Sequence, residues 1–352
     1  MKKKFLALLS LSLVAIFALL SGCSGATILT FENKFFGDGQ IPVGYTETVT
    51  YQVQSGEFDS LKRDSSITEQ VLQYDINGTF TTILTVHEAG WMADTFSQLG
   101  IDTDISYSDK RHVYYYQTSL ELTANYTLNG QQLAPSIDTI TTKAYFLDSA
   151  QSLSPIYSET IGSYSYLLDT DGDIQVSKLD IKYTTTYNKN SYLINQSYYA
   201  YKLGEFDQDA EWAQKTHEKS YTAKTIIDNN QLLFAIRNLP TVQENSNASL
   251  PTLSPVYGET KALAVKNTGT KTETLNNFGL NSTQVEVPVV CYEFYVNSNK
   301  NSGVQKYAFI QTDSANNLLP KAHLVKYVEP LFLLGGTFPC LGALIYTLTS
   351  VQ

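Results

Sequence analysis

Four aspartates within one short segment are the residues whose types and spacing come closest to a metal site. They are Asp169, Asp171, Asp173 and Asp180 in the segment LDTDGDIQVSKLD. Calcium-binding loops use carboxylates at positions 1, 3, 5 and 12, which is the same spacing, but they also need glycine at position 6. This chain has Ile174 there. The alternative interpretation is a β-hairpin turn with Asp171-Gly172 at its tip, which also accounts for the glycine.

Nucleophiles, acids and bases in the sequence match no familiar catalytic motif. The histidines occur singly, and His87-Glu88 lacks the second histidine of a zinc-binding helix. We find no G-x-S-x-G nucleophile elbow, no P-loop and no dinucleotide fingerprint. We therefore predict a protein that is not an enzyme and that uses no cofactor. A hydrolase whose site is assembled from distant residues is the remaining alternative.

Tyrosine is frequent in this chain, with 25 residues, and many of them fall in strand-like segments. The main clusters are Tyr114, Tyr115, Tyr116, Tyr164, Tyr166, Tyr198, Tyr199 and Tyr201. If a curved sheet carried such rings on its concave face, it could hold an acyl chain or a glycan, because tyrosine offers apolar area and a hydroxyl group. The alternative is that tyrosine serves here only as a good strand-forming residue.

The first residues have the composition of a cleavable export signal. Three lysines precede an apolar run, and Leu20-Ser21-Gly22-Cys23 follows it. This segment resembles bacterial lipoprotein signals, in which the cysteine at the cleavage point is diacylated on sulfur and becomes the first residue. The resemblance implies lipidation at Cys23, a membrane partner reached through the lipid anchor, and a location on the extracytoplasmic face of the cell membrane.

The charge of the mature chain argues against nucleic acid as a partner. Removal of residues 1–22 removes three lysines and no acid, which leaves 21 Lys+Arg against 34 Asp+Glu and a net charge of −13. Such a chain is repelled by nucleic acid and by anionic lipid headgroups at low salt. The remaining partner classes are a hydrophobic small molecule or a glycan.

Two cysteines remain after Cys23, namely Cys291 and Cys340. Exported proteins form disulfides, and two is an even number, so a Cys291–Cys340 disulfide is one interpretation. Both cysteines lie in apolar, strand-like contexts where buried free thiols are common. Two free thiols are therefore the other interpretation.

The elements that must position these residues are predicted to be β-strands. From Thr46 onward apolar and polar residues alternate, with Val49, Tyr51 and Val53 on one face, and similar segments recur along the chain. Turn dipeptides separate several of these segments. They are Asn77-Gly78, Asn129-Gly130 and Asp171-Gly172. The sequence therefore predicts a mainly β protein with one large, curved, half-barrel-like antiparallel sheet and a few short helices.

Three segments are candidates for helices. GWMADTFSQLG spaces Met92, Phe96 and Leu99 along one helical face and ends at Gly100, a candidate C-cap. DNNQLLFAIRNLP has Asp228 as a candidate N-cap and an apolar face that would pack on the sheet. EFDQDAEWAQKTHEKS is polar and predicts a short surface helix or a loop.

The chain is predicted to have five parts. Residues 1–22 are the signal peptide, 23–45 a lipidated tether, and 46–240 an antiparallel β region with short helices. Residues 241–255, TVQENSNASLPTLSP, are polar and contain prolines, which predicts a linker. Residues 256–352 are a C-terminal β region that would continue the same sheet or form its own. The apolar end of the chain contains glycines and a proline, so we predict core strands there and not a membrane span.

The C-terminal half carries a second resemblance. DNNQLLFAIRNLP, VEVPVVCYEFYVNS, VQKYAFIQTDSANNLLP and GALIYTLTS together resemble poorly characterised bacterial envelope proteins. Those proteins pack a short helix against a strongly curved antiparallel sheet, similar in shape to the half-barrels of lipoprotein carriers. The resemblance covers the chain from Asp228 to its end and departs from the group in EPLFLLGGTFPCL. It implies a fold and no activity.

One internal similarity remains. SLSPIYSET at residues 152–160 returns as TLSPVYGET at residues 252–260. We interpret it as residues that mark the entry to a strand, and a duplication predicts equivalent positions for Tyr157 and Tyr257. The overall hypothesis is a lipid-anchored extracytoplasmic binding or structural lipoprotein. The alternative is a carrier that shields a lipid or another hydrophobic ligand in the concave face.

Overall fold

The structure is a computed structural model. It describes residues 27–28, 41–58, 72–149, 152–170, 173–188, 191–202, 213–220, 226–237, 247–254, 259–279, 281, 283–296, 306–311, 323–332 and 340–352. Cys23, the signal segment and most of the predicted tether lie outside these residues.

Seventeen strands of the described chain join in one sheet. Those of the first half are β1 (Thr27–Ile28), β2 (Thr46–Gly56), β3 (Leu72–Glu88), β4 (His112–Leu128), β5 (Gln131–Gln132), β6 (Ser136–Ser149), β7 (Ser152–Thr170) and β8 (Asp173–Asn188). The others are β9 (Ser191–Lys202), β10 (Ala213–Ser220), β11 (Ile227–Asp228), β12 (Asn247–Ser254), β13 (Glu259–Phe278), β14 (Thr283–Val296), β15 (Lys306–Gln311), β16 (Leu324–Phe332) and β17 (Cys340–Val351).

The ladder is antiparallel almost throughout. From β12 it runs through β13, β14, β15, β16 and β17 to β2, and then through β3, β4, β6, β7, β8 and β9 to β10. The two-residue strands β1 and β11 pair in parallel with β12, and β5 pairs with β4. Because the last strand pairs with β2, the chain end is bonded to its first long strand, and Thr48 and Gln352 exchange two backbone hydrogen bonds of 2.9 Å.

The alternation of the sequence explains which face of each strand is buried. In β2, Val49, Tyr51 and Val53 are buried, whereas Thr50 and Gln52 on the other face are half-buried or exposed. Successive strand residues point to opposite faces, so one face collects the apolar residues. That face forms the main core, which draws on β2, β3, β4, β6, β12, β14 and β16. The prediction of a mainly β protein with one large antiparallel sheet is confirmed.

The sheet is strongly curved, as the contacts of a single residue show. The backbone of Asp228 pairs with Leu253 on β12, while its carboxylate accepts a hydrogen bond from Ser158 on β7. These two strands are ten ladder steps apart, which would separate them by about 50 Å in a flat sheet. One residue can bridge them only because the sheet bends around it, so the core face is the concave face.

Two short helices occur in the described chain, each preceded by a single 3-10 turn. Helix α1 (Ala93–Gln98) follows the turn Ala89–Met92, and helix α2 (Leu232–Ile236) follows the turn Asn229–Gln231. Both agree with the helices that the sequence predicts. Gly100 takes the positive φ of a C-cap, and Asp228 accepts a hydrogen bond from Asn230 N as the N-cap. Neither of these helices is long enough to cross a bilayer.

Of the three predicted turns, one occurs, one does not, and the third, Asp171-Gly172, lies outside the described residues. Asn129 and Gly130 have φ angles of 51° and 77° between β4 and β5, and β7 pairs with β8 on both sides of Asp171-Gly172. The prediction for Asn77-Gly78 is wrong, because both residues lie inside β3. Gly78 serves close packing, since a Cβ there would lie 1.9 Å from the carbonyl oxygen of Glu121 on β4.

Two further segments differ from their predictions. Residues 213–220 of the predicted surface helix or loop form β10, because they pair along their whole length with β9 at the edge of the sheet. Residues 247–254 of the predicted linker form β12, which accommodates Pro251 near the other edge, where β1 and β11 add only two residues each. The apolar C-terminal stretch forms strands, as predicted, in β16 and β17.

The two copies of the repeated segment lie in different settings. Residues 152–160 are continuous within β7, and Pro155 lies at a β-bulge opposite β6. Residues 252–254 end β12 and residues 259–260 begin β13. Tyr257, on which the duplication test depends, lies outside the described residues.

Candidate functional site

Asp169, Asp173 and Asp180 of the candidate calcium loop lie on the paired strands β7 and β8. Thr170, at the end of β7, pairs with Asp173, at the start of β8. Asp180 lies seven residues further along β8, which places it about 23 Å from Asp173. One calcium ion cannot contact both. The side chains of Asp169 and Asp173, and the whole of Asp171, lie outside the described residues.

The two cysteines of the predicted disulfide lie on strands that are not neighbours. Cys291 in β14 carries a free, half-buried thiol whose pKa is raised by burial. Cys340 begins β17, three ladder steps away, and pairs with Phe332. Three steps correspond to about 14 Å, whereas bridged cysteines have Cα atoms within about 7 Å. The structure therefore has no bridge between them.

The tyrosine cluster on β4 divides between the two faces of the sheet. Tyr114 and Tyr116 are buried on the concave face, and Tyr115 is half-buried on the convex face. On the convex face Tyr115 lies beside Tyr145, and Tyr145 beside Tyr157, with ring centroids 5.0 and 6.4 Å apart. The predicted aromatic lining of the concave face thus exists at alternate residues only.

The concave face of this region is covered by residues 227–237, which we call the inner segment. Its Phe234 ring packs against three aromatic rings of the sheet, with centroids 5.2 to 5.8 Å apart. They belong to Tyr114, Tyr116 and Phe146. Phe234 is 1% exposed, and Leu232 and Ile236 are also buried. Aromatic pairs at this spacing add to the stabilisation from buried area.

A buried carboxylate holds the beginning of the inner segment. Asp228 accepts hydrogen bonds from Ser158 Oγ at 2.6 Å, from Tyr187 OH at 2.5 Å and from Asn230 N at 2.7 Å. Burial raises the pKa of Asp228 above its usual value, although the three hydrogen bonds lower it. Next to it, the Asn230 amide donates to Thr160 Oγ1 at 2.9 Å. The segment is therefore fastened to β7 and β8 by side chains.

A buried charged cluster holds the other end of the inner segment. Arg237 donates from Nη1 to Glu47 Oε1 at 2.6 Å and from Nη2 to Glu47 Oε2 at 3.1 Å, which is a bidentate pair. Arg237 Nη2 also lies 3.2 Å from His323 Nδ1, and Tyr45 OH donates to Glu47 Oε2 at 3.1 Å. Because an arginine can only donate, His323 Nδ1 accepts, and Nε2 carries the proton of a neutral ring.

The electrostatics of this cluster fix one charge state for each member. Burial alone would raise the pKa of Glu47, but the charge and hydrogen bonds of Arg237 lower it to about 2. Burial and the nearby Arg237 lower the pKa of His323 to about 3. Burial and the neighbouring Glu47 raise the pKa of Tyr45 to about 12. At neutral pH the cluster is an ion pair beside a neutral histidine and a neutral tyrosine.

This arrangement fastens the inner segment and does not suit catalysis. Both oxygens of Glu47 accept hydrogen bonds from Arg237, and His323 is only 3.6 Å from Glu47 through its other nitrogen. A general base needs a proton donor of the substrate within hydrogen-bond reach, and here the protein itself occupies these positions. Sequence reasoning missed Glu47 and His323, since they lie 190 and 86 residues from Arg237 and belong to no motif.

A second polar network lies where β6 and β7 separate. Asp138 accepts from Ser136 Oγ at 2.9 Å and from Ser165 N at 2.8 Å, and Ser165 Oγ also donates into the network. Lys178 Nζ donates to the carbonyl oxygen of Ile137 at 2.6 Å and lies 3.8 Å from Asp138 Oδ1. This network therefore ties the β7–β8 hairpin to β6.

Other sites are limited in the part of the chain that the structure describes. No group of three or more His, Cys, Asp and Glu side chains there is placed to hold a metal ion. An open depression of about 390 Å³ is lined largely by polar residues. They are Thr50, Tyr51, Gln52, Asn77, Gly78, Thr79 and Thr349. It has neither the apolar lining nor the enclosure of a lipid site.

Comparison with known proteins gives one structural similarity to report. The chain matches no family model, and no curated protein sequence matches it. Among solved structures, it is similar to the crystal structure of a beta-barrel-like protein of domain of unknown function DUF1849 from Brucella abortus. The TM-score is 0.43 at 6% sequence identity, and the match covers 93% of this chain and 99% of the other.

Proposed function

We propose that this protein is a lipid-anchored extracytoplasmic protein with a binding or structural role, and that it is neither an enzyme nor a lipid carrier. The proposal rests on the position of the inner segment. Phe234 and its neighbours occupy the concave face where a carrier would hold its ligand. A carrier needs a contiguous apolar cavity of several hundred Å³, on the order of a small-molecule pocket.

The way in which the inner segment is fastened supports a permanent filling of the concave face. Its two ends are held by buried charged or hydrogen-bonded groups, Asp228 at one end and Arg237 at the other. Removal of one partner from a buried ion pair leaves an uncompensated charge and costs about 3–5 kcal/mol. A lid that opened for each ligand would have to break these contacts each time.

The anchoring part of the proposal rests on the N-terminal sequence. The segment that ends in Leu20-Ser21-Gly22-Cys23 resembles a lipoprotein signal, and two acyl chains hold a protein on a bilayer far longer than one. We expect Cys23→Ala to move the protein from the membrane fraction to the soluble extracytoplasmic fraction or to leave its signal uncleaved. A processed Cys23→Ala protein that stayed with the membrane would contradict lipid anchoring.

Native mass spectrometry of the gently extracted protein tests the role of the concave face. We expect the mass of the lipidated chain alone, because Phe234 already fills the space. The matched variant is Phe234→Ala, which removes the largest side chain of the inner segment. A lipid that co-purifies with the wild type would support the carrier alternative and overturn the proposal. A lipid bound by Phe234→Ala alone would agree with it, because that variant opens the space that the ring occupies.

A further inference from the structure

The described part of the chain exposes five large hydrophobic side chains, and three of them lie within residues 89–111, which connect β3 to β4. Trp91 is 66% exposed, Tyr107 is 73% exposed and Leu99 is 42% exposed. We call these three residues the Trp91 surface. Soluble proteins rarely concentrate large exposed apolar groups without a partner for them, and tryptophan and tyrosine are the residues most enriched at binding hot spots.

The backbone beneath Trp91 is held firmly. Ala89 N and Gly90 N donate to the carbonyl oxygens of Arg111 and Asp109 at 2.8 and 2.9 Å, which closes the base of the connection. Gly90 permits this approach, because a Cβ there would lie 2.4 Å from the carbonyl oxygen of Tyr107. The exposed indole of Trp91 therefore belongs to a turn that packs against the backbone of Tyr107, the residue with the second exposed ring.

A small core supports the surface from below. Ala89, Met92, Phe96 and Ile101 pack on Val113 and two residues of β6 and β7, and Phe96 meets the Tyr145 ring edge-on at 5.6 Å. On the other side, Tyr107 OH donates to Asp94 Oδ1 at 2.6 Å, which orients the exposed phenol ring. An aromatic surface held in place before binding loses less conformational entropy when a partner arrives.

The surroundings of the Trp91 surface are acidic. Residues 88–111 contain five carboxylates and two basic residues, a net charge of −3. Both basic residues are already paired: Lys110 Nζ lies 2.6 Å from Glu88, and Arg111 bonds to Asp109 and Asp104. The ring faces of tryptophan and tyrosine also attract cations, so the rings and the carboxylates favour the same kind of partner.

We propose that the Trp91 surface binds a positively charged segment of another protein, through stacking of lysine or arginine side chains on Trp91 and Tyr107 and attraction to the nearby carboxylates. This inference deepens the binding role proposed above and rests on it. The high exposure of both rings means that they form no enclosed cage for a small cation. A second copy of this acidic chain or an anionic lipid surface would be repelled.

Fluorescence anisotropy with a labelled oligo-arginine peptide tests the proposal on the full-length protein in detergent, with oligo-glutamate and oligo-serine peptides as controls. We expect oligo-arginine alone to bind, and its affinity to fall as salt rises. Trp91→Ala should weaken binding about fivefold to tenfold, and Trp91→Phe by less, because phenylalanine keeps a ring face. Ile161→Ala, another exposed apolar residue on the sheet, is the matched control and should bind as the wild type does.

Three results would overturn the proposal. One is the absence of oligo-arginine binding by the wild type. Another is equal binding by the wild type and Trp91→Ala, which would assign the interaction to net charge alone. The third is Trp91-dependent binding of a neutral oligosaccharide or of anionic vesicles in place of the peptide. The fractionation of Cys23→Ala and the native mass measurement do not involve Trp91, so failure here is distinguishable from failure of the anchoring or concave-face proposals.

Discussion

Arg237 is the residue on which the position of the inner segment most depends. It is buried, forms a bidentate pair with buried Glu47, and contacts His323 beside β16. Taking two charges out of water is costly, and only good geometry offsets that cost. Here the geometry is good, because each carboxylate oxygen of Glu47 accepts a hydrogen bond from a guanidinium nitrogen of Arg237. Together, Glu47, Arg237 and His323 therefore join three distant parts of the chain at one point.

We expect Arg237→Ala to lower the free energy of unfolding by about 3–5 kcal/mol, because Glu47 would remain buried without a partner. Urea denaturation followed by circular dichroism measures this difference. The matched control is Lys110→Ala, which breaks the ion pair with Glu88. The Lys110 side chain in this pair is 77% exposed, so its loss should lower the free energy of unfolding by about 1 kcal/mol or less. Equal losses in the two variants would mean that the buried pair adds nothing to stability.

The same cluster predicts a loss of stability in acid. His323 has a folded pKa of about 3 against an ordinary 6.5, so the unfolded chain binds more protons as the pH falls through this window. Glu47 has a folded pKa of about 2 against 4.5, and its contribution is lost in the same direction at lower pH. Asp228, whose pKa is raised, acts in the opposite sense.

We expect the urea midpoint to decrease as the pH is lowered from about 6.5 to about 4.5. In His323→Gln this decrease should be smaller, because glutamine keeps a hydrogen-bond acceptor for Arg237 and does not titrate. The measurement is a series of urea titrations across this range, with His217→Gln on β10 as the control. An unchanged slope in His323→Gln would show that another group causes the acid sensitivity.

Among the elements, the β3–β4 pair shows why a local motif can mislead. Asn77-Gly78 has the composition of a hairpin turn, but it lies within a 17-residue strand that pairs without interruption with β4. A turn dipeptide favours positive φ angles without requiring them. The flanking alternation of Leu72–Glu88 is longer than the motif, and the ladder on both sides determines the conformation.

We expect Gly78→Ala to cost at least about 2 kcal/mol, because the added Cβ would meet the backbone of Glu121 and force β3 away from β4. The control is Gly56→Ala in β2, where the added carbon meets only the Ile345 side chain at 3.4 Å, and the cost should stay below about 1 kcal/mol. Thermal denaturation of both variants against the wild type measures this contrast. Equal midpoints would contradict the close strand approach at Gly78.

For the molecule as a whole, the decisive contact is that between the first long strand and the last. β17 pairs with β2, and Thr349 Oγ1 donates to the carbonyl oxygen of Thr50, 299 residues away. The strands before and after the predicted linker therefore belong to one ladder. A sheet joined in this way should not separate into an N-terminal and a C-terminal unit on unfolding.

We expect a single cooperative transition in urea, with coincident midpoints from far-ultraviolet circular dichroism and from tryptophan fluorescence. A variant that lacks residues 340–352 should lose this transition, because β2 and β16 would each lose a partner strand. Two separate transitions in the wild-type protein would contradict a single cooperative sheet and favour two domains on either side of residues 241–255.

The sequence by itself determined the properties that depend on neighbours along the chain. The alternation around Val49, Tyr51 and Val53 predicted strands, the Asn129-Gly130 turn was correct, and Asp228 capped the helical turn of the inner segment as predicted. These features follow from side-chain periodicity and backbone preference within a few residues. The lipid anchor at Cys23 stays a prediction of the same local kind.

The tertiary structure alone decided which distant residues meet. Glu47, Arg237 and His323 belong to no common sequence motif, yet they form one buried cluster. Residues 213–220 form a strand because they pair with β9 at the edge of the sheet. The exposure of Trp91 was likewise invisible, since its neighbours Met92 and Phe96 are buried in the same turn and helix. The tertiary fold of the whole chain determines which strands pair, which charges are buried together and which rings stay exposed. Local conformational preference does not specify these contacts.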